Sequence, residues 1–535
     1  MKPWSTTIPI ADVLRVSGIV SLLIAGCGES ENRTAGSIPS SAVRETIRYE
    51  TTIDGEPESQ RQATLRSVAE PSHHTDSGDA DDADVRRQEQ RDVRLSPPEQ
   101  RLRLPDSRRE INEARLSEQG IRVFRAKRLV LLTDRVEGDG AGLPALADAL
   151  FERLEQHFGR LPEAPDGSEF QVTGHLIADA ARFEAAGLMP SDGLTFKHGR
   201  HLNYEFWMRD QVDDYYRRHL LLHEFTHCFM TCECGMTDTP DAWYIEGMAE
   251  YFATHSLIST AEGEEAVAHF GVMPAVHSGF EGWARIFELR RIFDSRPGSE
   301  MRTLNIPALD DARLLSVPGV EEDSRYAWWW ALCWMIHEHP FYRKHLAAEL
   351  KTTRRHADFR AAVTRFEGAF RKRWTSDWLL FAESLIEGFD TDRSFAWHAD
   401  RELSVADVSA NEPATVTVRA DRGWQDSGVS LSAGESVRLQ CDGDFFVAND
   451  PQPWRSEPQG VTVEYVHGAP LGQVVAILVS ADGSRISNRA AIARDAVVTA
   501  PFASRLWLQI NDSAASRADN SGSVSVSISR APDGV

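Results

Sequence analysis

Two histidines four residues apart, with a glutamate directly after the first, constrain this chain more than any other feature. The segment reads His223-Glu224-Phe225-Thr226-His227. Residues four apart share one face of an α-helix, so both imidazoles can grip a single ion if this stretch is helical. Its lead-in, Tyr215-Tyr216-Arg217-Arg218-His219-Leu220-Leu221-Leu222, contains neither Gly nor Pro, which suits a continuous helix. Neutral imidazole suits zinc, and two histidines with one carboxylate leave a fourth position for water. Glu224, next to the first ligand, can reach that water as a general base. The alternative is a buried helix whose histidines bind nothing. The five-residue pattern alone arises by chance in roughly one or two chains of this length per hundred, so its context decides.

After a break between Gly235 and Pro240, a second helical run reads Trp243-Tyr244-Ile245-Glu246-Gly247-Met248-Ala249-Glu250-Tyr251, with Glu246 and Glu250 four apart on one face. A His-Glu-x-x-His, eighteen intervening residues, and then a Glu within Trp-x-x-Glu-Gly-x-Ala-Glu-Tyr resembles the gluzincin metallopeptidases, most nearly their aminopeptidase-N-like branch. The resemblance implies His223, His227 and Glu246 as zinc ligands, Glu224 as catalytic base, and Glu250 as the carboxylate that orients a ligating imidazole. In that branch a tyrosine opens an apolar helix downstream of the third ligand and stabilises the oxyanion. Tyr326, about eighty residues past Glu246, stands at the head of Ala327-Trp328-Trp329-Trp330-Ala331-Leu332-Cys333-Trp334-Met335-Ile336 in the comparable place. The other reading of Tyr326 is a core residue on an aromatic helix. His337 and His339 follow that run and read as solvent-facing. The family's amine-anchoring Gly-x-Met-Glu-Asn strand has no counterpart upstream of His223. The implied reaction is therefore zinc-dependent peptide hydrolysis, with internal peptide bonds admitted.

The remaining pattern fits an α+β gluzincin-like catalytic domain over residues 118–400. Arg122-Val123-Phe124, Leu129-Val130-Leu131-Leu132-Thr133 and residues 170–177 read as strands, and residues 144–158 and 179–186 as helices. The aromatic stretch Tyr204-Glu205-Phe206-Trp207-Met208 reads as the sheet edge beside the cleft. From Glu246 to about Phe389 the pattern is almost wholly helical. Upstream, residues 28–117 are rich in Ser, Asp, Glu, Arg and Gln and read as a disordered polar linker.

Residues 1–27 read as an export signal. An apolar run too short to span a bilayer ends in Ile24-Ala25-Gly26-Cys27, which resembles a bacterial lipobox. That implies cleavage before Cys27, lipidation of its sulfur and a membrane-anchored place in the cell envelope. An ordinary signal peptide or a mis-set start is the alternative, since Asp12 and a weakly basic beginning are atypical. Cys228, Cys232 and Cys234 crowd the end of the histidine helix. A disulfide among them is compatible with export, its pairing is not legible, and a cysteine-rich zinc knuckle fits no standard spacing. The net charge of −23 argues against a nucleic-acid partner.

From residue 405 to 535 short β-rich segments separated by Gly, Pro, Asn and Asp indicate an all-β sandwich. Asn511-Asp512 closes one strand and Asp519-Asn520-Ser521-Gly522 opens the next, which gathers oxygen donors suited to a hard cation. With Trp424-Gln425-Asp426-Ser427-Gly428, Gly434 and Leu471-Gly472, this resembles the PA-I-type galactophilic calcium lectins. The resemblance implies calcium held by Asp512, Asp519 and Asn520, with backbone oxygens from Ser516 and Val447, and a sugar contacting Gln459 and Asp512. Glu457 stands near the place of a lectin histidine, so galactose specificity is not implied. Without calcium, such loops are simply good β-turns. Three functions follow as expectations. The first is a lipid-anchored zinc endopeptidase acting on a peptide or protein, with a sandwich that docks on glycan or another surface polymer. The others are a catalytically silent glycan-binding scaffold and an aminopeptidase with an unrecognised anchor.

Overall fold

The computed structural model describes residues 102–135, 140, 142–190, 196–234, 240–258, 267–274, 285–287, 289, 325–353, 356–409, 411–449, 452–483 and 485–532. The chain divides into two units, Met1–Ser77 and Gly78–Val535, and every described residue belongs to the second. Cys27, the expected signal segment and most of the expected linker lie outside the described residues. Residues 102–117, expected in that linker, are packed. Arg103 is buried and donates to the Tyr204 hydroxyl at 3.2 Å. Arg109 pairs with Glu205 at 2.7 Å, and helix α1 (Glu113–Glu118) buries Leu116. Charge pairing rather than apolar periodicity anchors this stretch.

The fold is mixed α/β. Strands β1 (Arg122–Arg125), β2 (Leu129–Thr133), β3 (Val172–Ile177), β4 (Gly199–Leu202) and β5 (Glu205–Arg209) form one sheet in the order β1-β2-β3-β5-β4. The inner strands β2, β3 and β5 are parallel, while β1 and β4 pair antiparallel at the two edges. β2 is buried throughout because alternate side chains enter opposite layers. Leu129 and Leu131 join the main core with helix α2 (Leu143–Phe158), whereas Val130 and Leu132 join α1 and helix α3 (Ala180–Ala186). α2 carries Pro144 in its first turn and buries Ala147, Leu150, Phe151, Leu154 and Phe158 along one stripe. The expected sheet edge over 204–208 is corrected: β5 is an inner strand, and β4 forms the edge.

Helices α4 (Asp214–Cys234) and α5 (Ala242–Ala253) follow, then an antiparallel pair of β6 (His255–Ile258) and β7 (Val267–Phe270), which interrupts the stretch expected to be almost wholly helical. Helix α6 (Arg325–Glu338), a helical segment over 340–350 that is π-helical at Arg343–Ala347, and helix α7 (His356–Ser384), kinked at Phe370, complete the helical half. His337 and His339 are buried, contrary to the solvent-facing expectation. α6 is wrapped on all sides, so polarity at its end does not mark exposure.

The C-terminal strands are β8 (Leu403–Ser404), β9 (Ala414–Arg419), β10 (Gln425–Leu431), β11 (Ser436–Asp442), β12 (Phe445–Val447) and β13 (Trp454–Ser456). They continue with β14 (Gln459–Val466), β15 (Ala469–Ser480), β16 (Ala490–Ala491), β17 (Asp495–Thr499), β18 (Ser504–Ile510) and β19 (Ser521–Arg530). One sheet runs β14-β15-β18-β10-β8 and the other β13-β12-β19-β11-β17, an arrangement compatible with a β-sandwich. Alternation sorts each strand: Leu506, Leu508 and Ile510 of β18 face the shared apolar core, while Trp507 faces away from it. With Val475, Ile477 and Val479 of β15, Trp507 packs on Leu379 and Leu380 of α7. Beside that contact the Glu383 carboxylate accepts from Arg489 Nε at 2.6 Å and Nη2 at 2.9 Å, and from Trp424 Nε1 at 3.1 Å. Burial opposes its charge, but Arg489 outweighs this and holds the carboxyl at about 2.

A depressed carboxyl contributes stability above its unfolded value of about 4.5, lost as pH falls toward its folded value. Glu383→Gln is expected to lower the unfolding free energy at pH 7 by about 3 kcal/mol. The deficit should shrink between about pH 4.5 and pH 2 in denaturant titrations at several pH values.

Candidate metal centre

α4 presents His219, His223 and His227 at successive turns, and α5 presents Glu246 and Glu250 against them. His223 Nε2 and His227 Nε2 lie 3.0 Å apart, and Glu246 Oε2 lies 3.4 Å from the first and 3.2 Å from the second. Donors held about 2.0–2.1 Å from a four-coordinate zinc stand roughly 3.3 Å from one another, so these three donors fit such an ion. Two imidazole nitrogens facing each other at 3.0 Å can share only one proton, which leaves a lone pair aimed into the same space. The carboxylate makes that space more attractive still to a cation.

Behind this triangle Glu250 is buried to 3% exposure. Its Oε1 lies 3.4 Å from His223 Nδ1 and 3.0 Å from Arg285 Nη2; its Oε2 lies 3.2 Å from His219 Nε2 and 3.1 Å from Arg285 Nε. Burial alone would raise this carboxyl, yet Arg285 and His219 hold it well below the usual range. Burial also disfavours a charged His223, but Glu246 and Glu250 outweigh it and lift the imidazole to about 10. His227 and His219 go the other way, lowered chiefly by burial.

Glu224 points to the sheet edge. A Cβ built at Gly199 of β4 would stand 2.2 Å from Glu224 Oε1, so glycine lets the strand pass without pushing the carboxylate aside. His201, two residues on, stacks on His227 at 4.5 Å and places Nδ1 3.8 Å from Glu224 Oε2. Tyr326 lies beside the cluster, its ring centroid 6.3 Å from that of His223 and 5.3 Å from the Arg285 guanidinium. The structure thus gathers His223, Glu224, His227, Glu246, Glu250 and Tyr326. Sequence reasoning missed His219, His201 and Arg285. His219 was legible as a third histidine in the i, i+4, i+8 series, whereas the other two carry no local signal. Among the described residues no cysteine joins a cluster able to hold a metal. Cys228 and Cys232 are buried free thiols, so no disulfide links them, and the Cys234 side chain lies outside the described residues.

At the C-terminal loops, Asn520 Nδ2 donates to Asp512 Oδ2 at 2.6 Å, and Asn520 Oδ1 accepts from Ala448 N at 3.2 Å. Asp519 Oδ2 accepts from Asn449 N at 3.1 Å, while its buried Oδ1 has no hydrogen-bond partner. Burial raises the Asp512 carboxyl; Arg517 and Asn520 oppose the rise, and Asp519 adds to it. Arg517 is buried beneath the loop and donates to the Asp512 carbonyl at 2.8 Å. Gln459 bridges Glu457 at 2.9 Å and Arg494 at 3.1 Å. Its register across β15 leads through Gln473 to Asn511, which puts Gln459 and Asp512 at one end of the sheet.

No protein-family description matches the chain, and no curated protein matches it. Over 22% of its length the chain is similar to a solved chain described as "EclA N-terminal domain; PllA-like lectin", of which 95% is covered, at 19% identity and a TM-score of 0.17. A likeness at that score carries no argument about fold or function.

Gly247, next to Glu246, lets α5 meet α6: a Cβ there would lie 2.5 Å from the Trp329 carbonyl oxygen and 2.6 Å from Cys333 Sγ. Backbone cannot yield as a side-chain tip can. Gly247→Ala is therefore expected to cost about 1–3 kcal/mol in chemical denaturation. Gly199→Ala, which meets only the flexible end of Glu224, should cost less. Equal losses would contradict this account.

Proposed function

We propose that the chain is a zinc-dependent peptidase of gluzincin type. The observation that carries the reading is the triangle of His223 Nε2, His227 Nε2 and Glu246 Oε2, whose sides of 3.0–3.4 Å fit one tetrahedral ion. These three residues would hold zinc, which when bound supplies Lewis acidity and lowers the pKa of a coordinated water. Glu250 fixes the His223 ring through Nδ1 and is itself fixed by His219 and Arg285. Glu224 takes the proton of the attacking water and returns it to the leaving amine. Tyr326 donates a hydrogen bond toward the charge that develops on the carbonyl oxygen. The sheet edge at β4 borders Glu224, so an extended peptide lying along it would present its carbonyl to the base. The absence of the amine-anchoring segment supports cleavage of internal bonds.

The purified protein is expected to bind about one zinc per chain, with His223→Ala and Glu246→Ala losing most of it by metal analysis. Glu224→Gln should keep the metal and the fold while peptide hydrolysis falls about 10²–10⁴-fold. Cleavage of amine-blocked peptides supports the endopeptidase; cleavage confined to free-amine peptides would establish an aminopeptidase instead. Full zinc content in the His223 and Glu246 variants would overturn the ligand assignment.

For the C-terminal strands the proposal is a calcium-dependent surface- or glycan-binding module, in a protein carried to the cell envelope through Cys27. Two neighbouring carboxylates, one with a buried unpartnered oxygen, support a cation at Asp512, Asp519 and Asn520. Calcium is expected to raise the melting temperature of the full chain, and Asp512→Ala to abolish the shift. A melting curve indifferent to calcium would leave the module as structural.

A further inference from the structure

His201 borders the metal triangle and has no part in the proposed reaction. It stands on β4, which among the described residues pairs only with β5 and forms the edge of the sheet. Side chains alternate along a strand, so His201 and Gly199 share one face. On that face Gly199 offers no side chain, and the Glu224 carboxylate lies against the strand there. The His201 ring comes next. It is laid on His227 with the ring centroids 4.5 Å apart and the planes 19° from parallel. Stacking of this kind restrains the plane of the ring.

Nδ1 of this ring lies 3.8 Å from Glu224 Oε2. Among the described residues the ring makes no formed hydrogen bond that would commit either nitrogen elsewhere. The His201 side chain keeps 26% of its surface exposed, against 6% for Glu224. The histidine is therefore open to solvent, while the carboxylate is covered. A neutral imidazole has one N–H, and the acceptor beside it selects which nitrogen carries it. A carboxylate beside Nδ1 selects the Nδ1–H tautomer, and a protonated ring carries that hydrogen as well. In either state Nδ1 is a donor facing Oε2. The gap exceeds a formed N–H···O bond by about 1 Å, and hydrogen bonds in catalytic sites are often long until substrate is bound.

We infer that His201 is the positioning residue of Glu224, an inference that rests on the peptidase reading. Its Nδ1–H donates to Oε2 and holds the carboxylate in one orientation. A glutamate side chain rotates about several bonds, and a reacting group misplaced by about 1 Å costs up to about 10²-fold in rate. With Oε2 taken by His201, the other carboxylate oxygen accepts the proton of the attacking water. His201 keeps its own proton throughout; Glu224 gains one from the water and returns it to the leaving amine. The histidine therefore acts on kcat and leaves substrate affinity unchanged.

Substitutions that keep one nitrogen or neither test the assignment on a peptide that the wild type cleaves. His201→Phe keeps a ring on His227 and removes both nitrogens. Its kcat is expected to fall about 10–100-fold, with KM within about twofold and zinc content unchanged. His201→Asn places an N–H close to the position of Nδ1 and should recover most of that loss. His201→Gln, whose N–H reaches the position of Nε2, should not. Recovery by Gln and not by Asn would overturn the inference in favour of a contact with substrate, and wild-type kcat in the Phe variant would overturn it outright. Nitrogen NMR spectra of the full-length protein, labelled at histidine, give a readout free of turnover. His201 is expected to show a protonated Nδ1, and Glu224→Ala to shift that resonance. An Nε2–H tautomer, or a resonance indifferent to Glu224→Ala, overturns the inference. Absence of hydrolysis in the wild type would instead overturn the peptidase reading, and the nitrogen spectra would still decide the contact.

Discussion

A carboxylate taken out of water costs several kcal/mol unless it is paired and hydrogen-bonded, and Glu250 is such a group. It meets His223, His219 and Arg285 together, so one buried charge joins two turns of α4, one turn of α5 and a third segment. Removing any partner leaves charge behind rather than a mere gap. The positions of His223 and of the space in front of it follow from this arrangement. Glu246, one turn earlier on α5, is carried to the histidine pair by the same helix contact. That contact is close because Gly247 admits the α6 backbone. Packing and electrostatics thus lean on the same few residues.

The helical part of this arrangement was legible in the sequence for a geometric reason. The spacing of His223 and His227, and of Glu246 and Glu250, is a helix period, and period survives without knowledge of the tertiary fold. What crosses between distant segments was not legible. Arg285 reaches Glu250 from a stretch with no periodic pattern, and His201 reaches Glu224 from an edge strand of four residues. The edge was misassigned because the aromatic run over 204–208 is richer in β-formers than β4. Yet β5 needs those large side chains because it is buried between two neighbours. The burial of His337 follows similarly. It meets the rings of Tyr251 and His157, where a polar side chain marks a polar interior and not solvent.

The C-terminal strands were legible as short alternating segments, and alternation again explains why. Inward residues fill one apolar core. Its limit shows in β15 and β18, where both faces are apolar: Val475, Ile477, Val479 and Trp507 turn to α7. A sheet covered on its second face behaves as an inner layer, so those strands read as continuous apolar runs. Glu383 and Arg489 close the contact with charge. A module attached in this way shares stability with the helical half, which is why calcium binding at its loops should register in the melting of the whole chain.

At the histidine triangle, lone pairs and a carboxylate converge on one space and ask for a cation. Between α2, α5 and α6, Arg153 and Arg343 share a polar wall with Glu338, which accepts from the Tyr251 hydroxyl at 2.6 Å. α5 borders both, through Glu246 and Glu250 on one hand and Tyr251 on the other. Tyr251 directly follows Glu250, so a shift of α5 that adjusts the Tyr251–Glu338 bond also moves the carboxylate behind His223. Any coupling between that wall and a metal would therefore run through a rigid helix already held by buried charge, and by linkage it would act equally in both directions.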